Sequence, residues 1–244
     1  MQKAVTAGPK IAMISMTTFE TSYDNIAVPN KHKYAKKHGY DMIWDFDPNP
    51  DQSKVWDKLT NIENAIKANI RGENAYEWLW WLDYDILITN TTIKIEDILE
   101  DAFRNHSNPD QVNVIVTPDC FPLNAGSMIF RVTPWVLDLY KRVRECGNRK
   151  DENGWPPSEQ DCLRASQGHN TMGMKDKSIS VLQTKLNAFP KEIPCYDDRE
   201  DKSWEKGMFV VHFAGAWAHL KGEDGGQHPD PVGTLMRKYY DDVV

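Results

Sequence analysis

The stretch Trp78–Asn90, WLWWLDYDILITN, decides how the chain is read. The apolar run up to Leu82 has the composition of a strand buried on both faces, and Ile86-Leu87-Ile88 resumes the apolar pattern shortly afterwards. Between the two pieces stand two carboxylates, Asp83 and Asp85, separated by Tyr84. Ionised carboxylates are costly to bury without a partner, so acids at the end of a core strand need a reason, and a divalent cation supplies one. In extended geometry residues two apart share a side, which aims both acids at one ion and turns Tyr84 away. Hard oxygen ligands suit Mn²⁺, with Mg²⁺ as the alternative, and both ions keep positions for water and substrate phosphate. A D-x-D triplet in a hydrophilic loop would read as a solvated turn. The tryptophan-rich run before this one and the apolar run after it set it apart.

Towards the N-terminus, Lys10 to Met16 (KIAMISM) reads as a strand whose carboxyl end, at Thr17 and Thr18, is a position where α/β sheets meet ligands. A helix is expected after Pro29 (KHKYAKKHG, stopped by Gly39), followed by a strand in YDMIWDF and a loop in the proline-rich DPNPD. From Val55 to Arg71, residues Trp56, Leu59, Ile62, Ile66 and Ile70 recur at helical spacing, which makes an amphipathic helix with one core-facing side. Beyond the acidic pair, the pattern predicts a helix over Ile95 to Phe103, strands at Val112 to Val116 and Ser127 to Val132, and a helix opened by Thr133-Pro134 and running to Arg144. A short helix from Glu159 to Ala165, a strand at Met208 to Phe213 and a terminal helix from Val232 to Tyr240 complete the reading. Strands alternating with helices give an α/β fold, a central sheet with helices on both faces. The 244 residues, 40% of them hydrophobic, suffice for one substantial core.

Three more segments carry polar groups where apolar ones would be ordinary. Asn124-Ala125-Gly126-Ser127 offers close backbone approach and directional hydrogen bonds of the kind that fix sugar hydroxyls, or else a polar turn before a strand. Ser158-Glu159-Gln160-Asp161 presents acids and an amide, which a helix N-terminal cap would equally explain. FVVHFAGAW sets His212 in an apolar run, as a core histidine or as the nitrogen ligand that completes a Mn²⁺ shell.

The net charge of −7, with bases and acids interspersed, gives no attraction for a polyanion, so no nucleic-acid partner is expected. No run approaches the roughly 20 apolar residues of a membrane span, and MQKAVTAGPK lacks the apolar core of a signal peptide. Cys120, Cys146, Cys162 and Cys195 are widely spaced without a C-x-x-C pair; free buried thiols and disulfides both remain open. Two sequons, Asn90-Thr91-Thr92 and Asn105-His106-Ser107, lean towards a secretory compartment.

Taken together, NKHKYAKKHGY, the W-x-K of Trp56 and Lys58, the strand ending in Asp83-x-Asp85, LNAGSMIFR, the Glu159-Gln160 pair and His212-Phe213-Ala214-Gly215 are similar to glycosyltransferase family 34, from about Lys10 to Tyr240. That family includes fungal Golgi α-galactosyl- and α-mannosyltransferases and plant xyloglucan xylosyltransferases. The resemblance implies a single catalytic domain of GT-A type, Rossmann-like with a mixed central sheet, over residues 10–244, preceded by an N-terminal extension or stem remnant at residues 1–9. It implies retaining, Mn²⁺-dependent transfer of a hexose (galactose or mannose) from UDP-galactose or GDP-mannose to an oligosaccharide or glycoconjugate, with UDP-xylose as the alternative donor. It further implies residence in the Golgi lumen behind an N-terminal anchor outside this chain. Oligomeric state, homo- or hetero-oligomer included, stays open.

By the same resemblance Asp83, Asp85 and His212 hold the metal, with Asp83 also contacting the donor. Gln160 lies on the β-face of the donor sugar, with Glu159 and Asp161 as the nearby carboxylates. Substrate contacts fall to Thr17, Lys58, Asn124, Gly126, Ser127 and Gly215. The lysine that plant members carry shortly after H-F-x-G-C is missing, and the nearest candidate is Lys221. The reading from another class is a non-catalytic carbohydrate-binding protein whose tryptophans stack on sugar rings. A phosphoryl-transfer enzyme would need a G-x-x-x-x-G-K-[ST] loop, which the sequence lacks.

Overall fold

A computed structural model describes residues 8–47, 49–51, 53–150 and 154–244. Most of the expected N-terminal extension, residues 1–7, therefore lies outside the described residues, as does Pro48 of the DPNPD loop. In chain order the elements are β1 (Ile11–Met16), α1 (Asp24–His38), β2 (Asp41–Asp45), α2 (Asp57–Ile70), β3 (Trp78–Leu82), β4 (Ile86–Ile88), α3 (Ile95–Phe103), β5 (Val114–Thr117) and β6 (Asn124–Arg131). They continue with α4 (Pro134–Gly147), α5 (Glu159–Gly168), β7 (Ser178–Ser180), α6 (Gln183–Leu186), β8 (Val210–His212), α7 (Ala216–His219) and α8 (Pro231–Tyr240).

Six strands form one sheet in the order β2-β1-β3-β6-β5-β7. Strands β1, β2 and β3 are mutually parallel, β6 runs against β3 and β5, and β7 is parallel to β5, so the sheet is mixed through β6 alone. On one face α2, α4 and α5 pack Leu59, Ile62, Tyr140 and Leu163 against Trp81, Met128 and Phe130. On the other, α1 and α3 pack Tyr34, Ile95 and Leu99 against Trp80 and Ile129. The tryptophans of β3 are thus core residues, buried on both sides of the central strand as their run predicts.

The chain does not continue the large sheet after Leu82. Strand β4 pairs antiparallel with β8 in a separate two-stranded sheet, with Ile86 opposite His212 and Ile88 opposite Val210. Its residues alternate: Ile86, Ile88 and Val210 face the α1–α3 core, whereas Leu87 and Val211 face a third cluster built with Leu235, Met236 and Tyr239 of α8. The edge of β4 away from β8 is satisfied by side chains of α1. The Asn30 amide donates to the Ile88 carbonyl and accepts from the Ile88 N–H, both at 2.9 Å, which reproduces a strand's hydrogen bonds. The Lys31 ammonium donates to the carbonyls of Tyr84 (3.0 Å) and Ile86 (2.7 Å).

Those contacts explain the first departure from expectation. Helix α1 starts at Asp24 and carries Pro29 in its interior, where a proline costs about 3 kcal/mol. The buried hydrogen bonds of Asn30 and Lys31, directly after it, offset that cost by tying the helix to β4. Strand β6 starts at Asn124 and not Ser127, because its polar side chains are all bonded inside the protein. Ile70, counted on the buried side of α2, is exposed at the helix end, while β7, α6 and α7 were too short to register as periodic segments. All four cysteines are paired, Cys120 with Cys195 and Cys146 with Cys162.

Candidate active site

The site lies where the two sheets meet. The Asp83 N–H bonds to the Gly126 carbonyl at 2.7 Å, extending the β3–β6 ladder one residue beyond Leu82. The chain then turns, with the Ile86 N–H bonded to the Asp83 carbonyl at 3.2 Å, so Asp83-Tyr84-Asp85 is a tight turn and not the extended segment expected. The two carboxylates converge all the same. His212, opposite Ile86 across the β4–β8 pair, brings Nε2 to 3.3 Å from Asp85 Oδ1, and one ligand atom each of Asp83, Asp85 and His212 lie within 4.8 Å of one another. The three expected metal ligands are brought together by tertiary pairing, since Asp83 leaves the large sheet while Asp85 and His212 belong to the small one.

The electrostatics favour bound charge here. Burial alone would raise the Asp85 carboxyl, but His212 and Lys31 bring it below the usual carboxylate range. Burial lowers the Lys31 ammonium to about 7 against the opposing pull of Asp85 and Asp83. Lys58, also fully buried, is pushed down by burial and lifted above its ordinary value by Asp83 and Glu159. Its Nζ stands 3.0 Å from Asp83 Oδ1, 3.1 Å from Glu159 Oε1 and 2.9 Å from the Ala125 carbonyl. An ammonium has three donors, and all three are engaged. Lys58, expected to touch the donor, lines the cleft and holds Asp83 and Glu159 at fixed positions. The Trp81 indole adds a hydrogen bond of 2.6 Å to the same Asp83 oxygen.

An open cleft at the carboxyl ends of β1 and β3 exposes these groups. Thr17, Thr18 and Phe19 form one wall, Lys54 and Val55 a second, and Asp83, Asp85 and Glu159 the floor. Thr17 is where the strand reading puts a ligand contact. The other expected residues are distributed less simply. The Asn124 amide bonds to Asp119, Gly126 and Asn187 inside the protein. Gly126 has no room for a Cβ, which would stand 2.2 Å from His212 Cε1, so its role is to admit the imidazole. Ser127 Oγ accepts from the Trp80 indole at 2.9 Å and is fully buried, which turns it away from any substrate. The amide oxygen of the half-buried Gln160 accepts the Ala125 N–H at 2.7 Å and keeps a second lone pair.

Asp161 departs furthest from expectation as a catalytic carboxylate. It closes the capping box of α5 with Ser158, whose N–H and hydroxyl lie 3.1 and 2.7 Å from Asp161 Oδ2, and it is exposed. Gly215 takes a left-handed conformation at the start of α7, with φ of 66°. Lys221 sits in the following loop in a bridge with Gln227, outside the cleft wall, and the described lysines that line the cleft are Lys54 and Lys58. Sequence reasoning missed Lys31, Lys54, Asp119 and Asn187. Of these only Asp119, an acid shortly after the apolar Val114–Val116, carried a readable signal. The sugar-stacking alternative loses Trp78, Trp80 and Trp81 to the core, leaving Trp155 and Trp217 exposed.

Comparison with known proteins identifies the family and the fold. A family model described as the galactosyl transferase GMA12/MNN10 family matches residues 9–106 and 100–222. The chain is 26% identical over 254 residues to the probable alpha-1,2-galactosyltransferase gmh2 of Schizosaccharomyces pombe, covering 86% of this chain and 67% of that protein. It is 25% identical over 223 residues to the probable alpha-1,6-mannosyltransferase MNN10 of Saccharomyces cerevisiae, covering 80% and 56%. The chain thus spans little more than half to two thirds of the length of these two relatives.

Among solved structures, it superposes on a glycosyltransferase involved in the glycosylation of the major capsid of PBCV-1 with a TM-score of 0.63 at 17% identity, covering 94% of this chain and all of that one. It superposes on the galactosyltransferase LgtC in complex with donor and acceptor sugar analogs with a TM-score of 0.52 at 11% identity, covering 96% of each. These likenesses establish the GT-A fold: a mixed six-stranded sheet flanked by helices, with the acidic pair following its central strand β3. The chain is a glycosyltransferase and belongs to glycosyltransferase family 34, the galactosyl transferase GMA12/MNN10 family.

Proposed function

We propose that this chain transfers a hexose, galactose or mannose, from a nucleotide diphosphate sugar to an oligosaccharide or glycoconjugate, with retention of the anomeric configuration and with Mn²⁺ as cofactor. The convergence of Asp83 and Asp85, which line the cleft, with the buried His212 beside them carries this reading. Two carboxylates and an imidazole are a donor set that Mn²⁺ accepts more readily than Mg²⁺, which prefers oxygen. The names of the relatives, galactosyl- and mannosyltransferases, support the hexose; UDP-xylose is the alternative donor. A bound cation supplies charge neutralisation to the departing diphosphate.

The chain's own residues do the rest. Lys58 holds Asp83 in place, and Lys54 on the cleft wall offers a second positive charge to the phosphates. Of the described acids in the cleft, Asp83 and Asp85 are committed to the cation and Glu159 to Lys58, so no carboxylate is free to attack the sugar. That favours direct attack of the acceptor hydroxyl on the face the diphosphate leaves, with a phosphate oxygen taking its proton. Gln160, anchored to β6 through Ala125, supports the positive sugar carbon with its remaining lone pair.

The two disulfides suit an oxidising compartment, and Asn105 of the second sequon is exposed beyond α3, so the Golgi lumen is the proposed location. No helix among the described residues is long and apolar enough to cross a membrane. The test is a screen of UDP-galactose, GDP-mannose and UDP-xylose for Mn²⁺-dependent hydrolysis and transfer, with the product anomer read by proton NMR. An α-linked hexose is expected. A β-linked product, or turnover unaffected by chelator, would overturn the reading.

A further inference from the structure

Behind the metal triad lies a chain of buried polar side chains that the reaction does not need for contact with substrate. We propose that Asn187, held in turn by Asn124 and Asp119, is a positioning residue that keeps His212 as its Nδ1–H tautomer and so presents the Nε2 lone pair to the cation site. The inference rests on the reading of His212 as a ligand.

The donor and acceptor roles follow one from another. Two groups at the far end of the chain have no choice of role: the Asp119 carboxylate accepts and the Gly126 N–H donates. Asn124 Nδ2 lies 2.8 Å from Asp119 Oδ2 and its other amide atom lies 2.8 Å from the Gly126 nitrogen, so the former is the nitrogen and the latter the oxygen. That same Asn124 oxygen lies 2.8 Å from the Asn187 amide, which must therefore turn its NH₂ towards it; the NH₂ also reaches Thr117 Oγ1 at 3.1 Å. Asn187 Oδ1 is thereby left facing His212 Nδ1 at 2.8 Å, and it can only accept. The imidazole must carry its proton on Nδ1. Reversing Asn187 would set two carbonyl oxygens 2.8 Å apart.

Burial prevents water from relaxing these assignments, since Asn187, Thr117 and His212 are 0%, 0% and 2% exposed. The Phe189 ring, edge-on to the imidazole with centroids 5.4 Å apart, and the space left by Gly126 hold its plane. The alternative tautomer has its own attraction, because an Nε2–H would point at Asp85 Oδ1 3.3 Å away. It would also close the nitrogen to a cation. The relay therefore decides whether His212 serves Asp85 as a hydrogen-bond donor or the cation as a ligand. Partners of this kind behind a metal-binding histidine typically change affinity by about 10- to 100-fold when removed.

Two substitutions separate positioning from packing. Asn187→Leu keeps the shape of the side chain and removes the acceptor; Asn187→Asp keeps the acceptor towards His212 but sets an oxygen against Asn124 Oδ1, so its stability is measured separately from its tautomer and Mn²⁺ affinity. The tautomer is read from the imidazole ¹⁵N shifts of the metal-free protein near pH 9, well above the ordinary histidine value of about 6.5, and Mn²⁺ affinity by calorimetry. Wild type and Asn187→Asp should show Nδ1–H, whereas Asn187→Leu should populate Nε2–H and lose about 10- to 100-fold in Mn²⁺ affinity. A merely structural role predicts the reverse order, Leu tolerated and Asp not. An Nε2–H tautomer in wild type, or an unchanged tautomer in Asn187→Leu, overturns the proposal whether or not the variants fold equally well. Failure of wild type to bind Mn²⁺ would instead sink the metal reading, since the tautomer is measured without metal.

Discussion

The six-stranded and two-stranded sheets meet at Asp83-Tyr84-Asp85, and they are held by different means. The large sheet rests on side-chain burial: Trp80, Trp81, Leu79 and Phe130 have helices against them on either face. The small one has three residues per strand, a size that is marginal alone. It persists because both its faces are packed in the core and because Asn30 and Lys31 of α1 stand in for a third strand along β4. The comparison teaches that hydrophobic layering makes the platform while buried polar contacts of long sequence separation make the site. Asp83 belongs to the first kind of structure and Asp85 with His212 to the second.

The comparison can be broken most severely at the seam. Asp85→Ala removes the acid that the small sheet contributes and should lower Mn²⁺-dependent turnover by more than the roughly 10²- to 10³-fold typical of losing one electrostatic group. The large sheet should keep its circular dichroism and near-native stability. Turnover within tenfold of wild type would mean that the small sheet takes no part in the chemistry.

Lys58→Met attacks the large-sheet side. It leaves Asp83 and Glu159 without their shared cation, and breaking a buried pair in this way costs about 3–5 kcal/mol. Urea denaturation should report that loss; unchanged stability would show that α5 is not anchored through Glu159. Gly126→Ala probes the contact between the sheets, because the new methyl would overlap His212. Overpacking of this kind costs about 1–3 kcal/mol, and the displaced imidazole should lose Mn²⁺ affinity by roughly tenfold, at the low end of the effect of disturbing a ligand's support.

The smallest expected effect lies in the segment that carries Asn187. Burial raises the Asp197 carboxyl, but hydrogen bonds from Arg199 and the Gln183 N–H bring it below its ordinary value. A depressed carboxyl stabilises the fold above its unfolded value, about 3.9, and that stability fades as pH falls through the folded value. Asp197→Asn should therefore be less stable than wild type at pH 7 by about 1 kcal/mol, the worth of a charged hydrogen bond whose Arg199 partner is partly screened by solvent. The gap should close below about pH 4. A gap independent of pH in thermal melts would assign the effect to packing.

The legible parts of the molecule were those written in local pattern. The apolar runs of β1 and β3, the helical spacing of α2 and the Thr133-Pro134 start of α4 are properties of neighbouring residues, and the structure places them within a few residues of expectation. Asp83, Asp85 and His212 were legible as oddities, polar groups in apolar surroundings. What could not be read was pairing across distance. Asn124-Ala125-Gly126-Ser127 looked like a polar turn because Asp119, Gln160 and Asn187, which satisfy or border it, arrive from elsewhere in the chain. Asn187 itself follows a four-residue helix and has no sequence signature at all. The small sheet depends on Ile86 meeting His212, a contact that no periodicity announces.

The two disulfides have a practical consequence for anyone making this protein. Four cysteines can pair in three ways, and only one of them ties Cys120 in the β5–β6 loop to Cys195 while joining α4 to α5 through Cys146 and Cys162. The second bridge closes a loop of 16 residues that ends just after Glu159 and Gln160, the kind of cross-link worth about 3 kcal/mol. A host that keeps thiols reduced would deliver a chain whose α5 start is loosely tethered, and inactive preparations from such a host would say nothing about the chemistry. Secretion through an oxidising compartment with disulfide isomerase present is the production route the fold asks for.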